Sequence, residues 1–190
     1  MVIVFIMVIA MVICQRCAEL VVAKRNTRYI KDAGGYEVAA EHYKWIVSLH
    51  VSFFLSLIGE VSLRASTVPI SFYFWPFLVF CPAQLLRIWS MRSLGRFWNT
   101  RIFVLAGKQP IVCGPYRFIR HPNYLVVLLE VGMLPLTFGA WKTALFFTVA
   151  KIMILKVRIA AEEQALQKAY QYEAWMGEKG RFVPVRKQRG

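Results

Sequence analysis

The sequence predicts an all-α, polytopic membrane protein of about five transmembrane helices, with its N-terminus outside, its C-terminus in the cytoplasm and a polar pocket at the cytoplasmic face. Three observations predict it. Hydrophobic residues make up 58% of the 190-residue chain and charged residues 18%, whereas a soluble domain is about half apolar and about a quarter charged. The apolar residues fall in blocks close to the roughly 20 residues that cross a bilayer as a helix. The basic residues behind a formal net charge of +14 are sorted into alternate connections between those blocks. The same apolar excess excludes a disordered chain.

The first span, near 2–23, opens with an uncharged run from Met1 to Cys14 and continues past Gln15, Arg16 and Glu19 to about Ala23. Arg16 and Glu19 are three apart, so they share a helix face and can pair. A cleavable signal is the alternative, but no basic residue precedes the apolar run and no small-residue cleavage site follows it. The second span, near 45–63, carries His50 and Glu60. The third, near 67–86, has no charge, and the fourth, near 123–140, carries Glu130 alone. The fifth, near 141–157, holds Lys142, Lys151 and Lys156. Ionisable groups within spans are costly and are functional candidates by default. His50, Glu60 and Glu130 are therefore expected either to meet substrate or to hydrogen-bond within the bundle or at its outer interface.

The connections set the orientation. The loop 24–44 holds Lys24, Arg25, Arg28, Lys31 and Lys44. The loop 87–122 holds Arg87, Arg92, Arg96, Arg101, Lys108, Arg117 and Arg120, and the tail 158–190 holds seven more basic residues from Arg158 to Arg189. The intervening connections hold only Arg64 and Lys142. The positive-inside rule places the basic pieces in the cytoplasm. There they also attract anionic membrane lipid, and no nucleic-acid recognition motif accompanies them. No internal repeat divides the chain, so 1–190 reads as a single domain. Oligomeric state is not legible.

The four cysteines imply neither metal nor disulfide framework. Cys14 and Cys17 form a C-x-x-C inside the first apolar block, without a second ligand pair at zinc-like spacing, and are expected to be ordinary buried thiols. In the cytoplasmic pieces, Gly34-Gly35 signals a turn. Two short apolar runs, Ile102 to Leu105 and Ile111 to Cys113, flank a Gly-Lys-Gln-Pro break and predict a small hairpin or lid. The tail predicts a helix to about Met176, before Gly177 and Gly180, with Tyr170, Tyr172 and Trp175 as an interfacial or covering surface.

Two polar clusters sit at the cytoplasmic ends of neighbouring spans. The first is the run Gly114-Pro-Tyr116-Arg-Phe-Ile-Arg120-His121-Pro122-Asn123-Tyr124. Proline is tolerated in the first turn of a helix but not deeper. A helix therefore starts near Pro122, with Arg120 and His121 just outside it. Its free N–H groups suit a carboxylate or a polar cofactor edge; interfacial anchoring is the alternative for the two basic residues. The second cluster is Arg158 with Glu162 and Glu163. Arg158 and Glu162 are four apart and could equally be a routine helix ion pair.

These motifs carry a resemblance. Arg120-His-Pro-Asn-Tyr124 resembles the R-H-P-x-Y motif of the isoprenylcysteine carboxyl methyltransferase family of integral membrane methyltransferases. Gly114-Pro-Tyr116 is similar to the G-x-Y that precedes that motif, and Arg158-x-x-x-Glu162-Glu163 to the R-x-x-x-E-E that follows. The order and spacing agree from Leu94 onward. The resemblance implies S-adenosylmethionine as cofactor, bound outside any Rossmann fold; no strand–Gly-rich–helix signal is present. It implies that Tyr116, His121, Pro122, Asn123, Tyr124 and Glu162 line the cofactor pocket and that Arg158 faces the methyl acceptor. No metal is implied.

Other residues resemble a bacterial branch similar to methyltransferases acting on long-chain polyketide pyrones and phenols: Gln15-Arg16-x-x-Glu19-Leu20, Lys24-Arg25-Asn26, His42-Tyr43, His50, Glu60, Leu94-Gly-Arg-Phe-Trp98 and Tyr124 followed by Glu130. The chain has Asn99-Thr100 where the prenylcysteine enzymes tend to carry Asn-His, and Val126 where they often carry Gly. The resemblance thus implies an O-methyltransferase of the bacterial plasma membrane with a lipophilic small-molecule acceptor. Carboxyl methylation of isoprenylcysteine is the alternative, and a non-enzymatic membrane protein or small transporter is the alternative of a different class. An ionised acceptor needs no general base, so positioning and exclusion of water would suffice. A weakly acidic phenol would need one, with His121 or a membrane carboxylate as candidates.

Overall fold

The computed structural model describes residues 1–65, 70–170 and 172–184. Its helices follow the apolar blocks and outrun them toward the basic side. Helix α1, Val2–Asp32, has 31 residues and is about 46 Å long at 1.5 Å per residue, against a hydrocarbon core of about 30 Å. It runs through the first third of the predicted loop because nothing from Lys24 to Asp32 breaks it and Lys31 suits its C-terminal end. Gly34, at φ +87, ends it, and any side chain on Gly35 would strike Ile30. Strand β1, Tyr36–Val38, follows, then helix α2, Ala40–Ala65.

Helix α3, Phe74–Leu94, departs from the predicted third span. The start of that span, 67–69, lies outside the described residues. Ile70 to Tyr73 are not helical, and the helix continues past Leu86 to Leu94. Pro76 falls in its first turn, where the missing N–H costs nothing. Strand β2 is Ile102–Val104, and it corrects the predicted hairpin. β2 pairs antiparallel with β1, Tyr36 opposite Val104 and Val38 opposite Ile102, while 111–113 forms no strand. Arg101 beside β2 donates to Glu37 of β1 at 2.9 Å, which fixes that register, whereas Pro110 has no N–H to give a hairpin partner.

Helix α4, Pro122–Thr137, has 16 residues, about 24 Å. No residue of it is exposed. It packs between α3 and α5 and is the axis of the bundle. Gly139, at φ +71, turns the chain into α5, Trp141–Tyr170, and Tyr172–Met176 forms a short α6. Glu60 of α2 accepts the first backbone N–H groups of α5, from Lys142 at 3.2 Å and Thr143 at 2.7 Å. Its carboxylate is a helix cap at the end of the bundle remote from the loops, well placed for the positive end of the helix dipole.

Phe5, Ile9 and Val12 of α1 meet Phe53, Leu57 and Val61 of α2, Phe80 of α3, Val131 and Leu134 of α4 and Phe147 of α5 in one core. Outside it α1, α2, α3 and α5 present apolar side chains to the exterior, among them Leu63 at 75% and Leu85 at 69% exposure. A surface this apolar is incompatible with water. Among the described residues, Val2–Asp32 and Tyr43–Ala65 are long and apolar enough to cross a membrane. All four cysteines are exposed rather than buried. Cys14 and Cys17 lie off the stripe of Phe5, Ile9, Val12 and Glu19 that α1 buries.

Candidate active site

The loop from α3 to α4 is folded onto the end of α3 before it enters the bundle. Gly114, at φ +55, lies so close to Ser93 that no side chain fits there. A 3₁₀ turn, Gly114–Arg117, then buries Tyr116, whose phenol contacts Ser90. His121 is the N-cap of α4 and Pro122 its first residue. Pro122 does not reach the cavity expected of it; it sets where the helix begins. Arg120 is spent on the C-terminal segment. It donates from Nε to the Lys179 carbonyl at 2.7 Å, to the Gly177 carbonyl at 2.8 Å and to Glu173 at 3.1 Å. The backbone N–H groups of Arg120 and His121 donate to Gly180 and Arg181 at 3.0 Å each. The segment after α6 is thereby tied to the start of α4, beside the site.

Tyr116, His121, Asn123, Tyr124, Arg158 and Glu162 all line one cavity of about 180 Å³. At its base Arg158 donates from Nε to the Tyr124 hydroxyl at 2.8 Å and from a terminal nitrogen to the Thr100 carbonyl at 2.6 Å. The Tyr124 hydroxyl in turn donates to Glu162. Arg158 and Glu162 are thus joined through a phenol and not as a direct helix ion pair. His121 stacks on Tyr124, ring centroids 5.3 Å apart, and its Nε2 faces Glu163 Oε1 at 3.0 Å. Glu163 also takes Arg181 at 2.6 Å. Partial burial alone would raise the Glu163 carboxyl, but the hydrogen bonds from His121 and Arg181 hold it at about 2.

Three phenols besides Tyr124 lie near Glu162. Burial and then its carboxylate push Tyr170 up to about 12, and push Tyr116 and Tyr172 higher still. They remain protonated donors. Tyr170 and Tyr172 line the cavity and Tyr172 is buried, so these residues form its wall; Trp175 is the exposed member of the predicted trio. Two buried polar atoms in the wall lack a partner: Asn123 Oδ1, an acceptor, and Trp98 Nε1, a donor. Both atoms are closed off from the cavity as well as unpaired among the described residues, and a buried polar atom left unpaired is costly.

A second cavity of about 460 Å³ runs among α1, α2, α4 and α5. Ile13, Val51, Leu55, Ile58 and Ile154 give it an apolar length, and His50 and Lys151 also line it. Trp98, Asn99, Asn123, Tyr124 and Arg158 line both cavities. Beside the second lies a charged lattice. Glu130 of α4 binds Arg16 of α1 and Arg87 of α3 at 2.5 Å each, and Glu19 binds Arg16 at 2.5 Å and Arg87 at 3.4 Å. Glutamines 15 and 84 complete it, Gln84 reaching Glu130 at 3.1 Å. Buried ion pairs add little net stability, but breaking one is expensive, so the lattice fixes how three helices register. His50, Glu60 and Glu130 therefore do not form one network. Glu60 caps α5, Glu130 anchors the lattice, and His50 faces Lys151 at 3.3 Å.

Sequence reasoning did not find the Thr100 carbonyl, which holds Arg158, nor Asn99, which reaches the α1 backbone at Ala23 and Thr27 Oγ1. Only the Asn99-Thr100 pair, as a departure from a family pattern, pointed there.

Residues 74–168 match the model of the isoprenylcysteine carboxyl methyltransferase (ICMT) family, the segment that contains α3, both polar clusters and most of α5. Over 163 residues the chain is 41% identical to the uncharacterized protein YpbQ of Bacillus subtilis (strain 168), covering 86% of this chain and 96% of that protein. Over 162 residues it is 26% identical to an uncharacterized protein of Haemophilus influenzae (strain ATCC 51907 / DSM 11121 / KW20 / Rd), covering 83% and 91%. The chain belongs to the ICMT family.

Proposed function

We propose, from this membership of a family of membrane methyltransferases, that the chain uses S-adenosylmethionine to O-methylate a lipophilic acceptor, a long-chain polyketide pyrone or phenol. One observation carries the reading: a polar cavity and an apolar cavity that share the wall of Arg158, Tyr124 and Asn123. A two-substrate transfer between a water-soluble donor and a greasy acceptor needs that arrangement. Basic residues cluster at the polar cavity's end of the molecule, so on this reading it opens to the cytoplasm.

The residues fit the cofactor. Glu162 supplies an acceptor for ribose hydroxyls or an ammonium, and the Tyr116, Tyr170 and Tyr172 hydroxyls in the same wall supply donors for a carboxylate or a ring nitrogen. When bound, S-adenosylmethionine supplies a methyl group on a sulfonium sulfur. The chain's own contribution is placement. Arg158, held from the far side by the Thr100 carbonyl, fixes an acceptor oxygen against the shared wall. Tyr124 locks Arg158 to Glu162, so acceptor and donor sites keep one spacing, which is what positioning catalysis needs. The apolar cavity excludes water from the acceptor oxygen.

Titration of the purified protein with S-adenosylmethionine tests the cofactor. Saturable binding is expected, and its absence in a folded preparation would sink the reading in favour of a non-enzymatic protein. Incubation with labelled cofactor and host lipid extract tests the acceptor. A labelled methyl ether of an alkylpyrone or alkylresorcinol is expected; a labelled prenylcysteine ester would replace that acceptor with the carboxylate.

A further inference from the structure

Lys151 is a buried cation without an anion. It lies on α5 at 2% exposure and lines the larger cavity. Among the described residues its ammonium faces His50 Nδ1 of α2 at 3.3 Å and joins none of the ion pairs. The charged groups around it come from every neighbouring element: Arg16 of α1, Arg87 of α3, Glu130 of α4 and Arg158 of α5. Glu130, the carboxylate among them, is already held by Arg16 and Arg87. Glu19 of α1 is held by the same two arginines.

Counting Arg16, Arg87 and Lys151 against Glu19 and Glu130 leaves one positive charge unmatched. Arg158 adds to it. It lies seven residues further along the same helix face, about 10 Å away by helical rise, and forms no carboxylate ion pair itself. Two like charges therefore share one apolar cavity. An uncompensated buried charge is strongly unfavourable; loss of the proton or arrival of an anion relieves it, and an anion also fills the cavity.

We propose that Lys151, which faces His50 Nδ1, holds a negatively charged oxygen of a single-chain amphiphile in the larger cavity, two turns of α5 from the oxygen that Arg158 fixes, and so selects acceptors that carry an anionic group over neutral ones. The Ile46 carbonyl lies 3.1 Å from the same ring nitrogen. That nitrogen can donate to Ile46 or accept from Lys151, not both. The ammonium is thus held loosely enough to turn to an incoming anion. This rests on the methyltransferase reading and deepens it by naming the charge of its acceptor: an amphiphile with an anionic group at Lys151 besides the oxygen that Arg158 presents to the cofactor.

The test needs no methyl transfer. cis-Parinaric acid, a fluorescent fatty acid, and its methyl ester are titrated into the full chain in detergent at about pH 6.5, where the carboxyl is ionised and a lysine retains its proton. Binding is read as energy transfer from tryptophan, Trp98 standing in the cavity wall. Wild-type protein is expected to prefer the acid about tenfold. Lys151→Arg keeps that preference, while Lys151→Met lowers it to near unity with ester affinity unchanged. No preference in the wild type, an undiminished preference in Lys151→Met, or loss of ester and acid together would each overturn the proposal, the last by making the ammonium a structural support. An acid preference that persists while S-adenosylmethionine fails to bind would refute the methyltransferase reading and leave this one standing.

Discussion

At the scale of single residues, the decisive feature is that one hydroxyl serves two sites. Tyr124 accepts from Arg158 and donates to Glu162, so severing it disturbs both. We expect Glu162→Ala to weaken cofactor binding and Arg158→Ala mainly to remove acceptor turnover, because Arg158 is held by Thr100 as well as by Tyr124. Tyr124→Phe is expected to do both, each by about 1.5–3 kcal/mol, roughly ten- to hundredfold, the worth of a hydrogen bond to a charged group. Cofactor titration and single-turnover rates separate the three variants. Equal loss of cofactor affinity in Glu162→Ala and Arg158→Ala would refute the division. Intact coupling in Tyr124→Phe would mean that the hydroxyl is incidental.

At the scale of elements, the segment after α6 is part of the site because Arg120 and His121 hold it. Arg120→Ala removes three side-chain bonds at once, so protease cleavage between 177 and 184 is expected to rise and cofactor affinity to fall. A pH effect follows from Glu163, whose carboxyl sits at about 2 against an ordinary 4.5. A depressed carboxyl contributes stability above its unfolded value and loses it as pH falls toward the folded one. The clamp should therefore hold at neutral pH and open between about pH 4.5 and 2, read as proteolysis or amide exchange of that segment, and Glu163→Gln should open it at neutral pH. How legible each element was follows from the range of the signal that makes it. Pro122 after His121 placed the start of α4 because proline acts within one turn. Gly34-Gly35 marks the turn after α1 for the same reason, whereas the apolar run alone puts the end of that helix nine residues early, near Ala23. The β1–β2 pair was not legible, since Tyr36 and Val104 meet across the whole of α2 and α3. Nor was the Tyr124 bridge: the i, i+4 spacing of Arg158 and Glu162 suggested a direct pair, and a side chain from another helix intercepted it. Tyr170 and Tyr172 were read as surface because aromatic residues near a membrane boundary usually are; a chain that doubles back over a cavity makes them its wall.

At the scale of the whole molecule, the proposed function has the two cavities open to different media, in keeping with the apolar exterior and the sorted charge. α4 is too short to span about 30 Å on its own. Yet none of its residues is exposed, and Glu60 and an Arg64 contact to Gly139 hold α2 against the turn that joins α4 to α5. The lipid-facing shell is therefore α1, α2, α3 and α5, and α4 need only connect the turn at Gly139 to the polar cavity. If the chain makes five spans with its C-terminus in the cytoplasm, Cys113, exposed beside the polar cavity, faces the cytoplasm and Lys142 faces out. A water-soluble, membrane-impermeant maleimide should label native Cys113 in inverted vesicles and not in intact cells. Lys142→Cys, on a background lacking Cys113, should give the opposite pattern. Cys14, Cys17 and Cys81 should stay unlabelled in both, because their exposure is to hydrocarbon, where the thiolate that reacts does not form. Labelling of Cys113 from outside would reverse the orientation, and labelling of both positions from one side would require an even number of crossings between α3 and α5 and overturn the five-span reading.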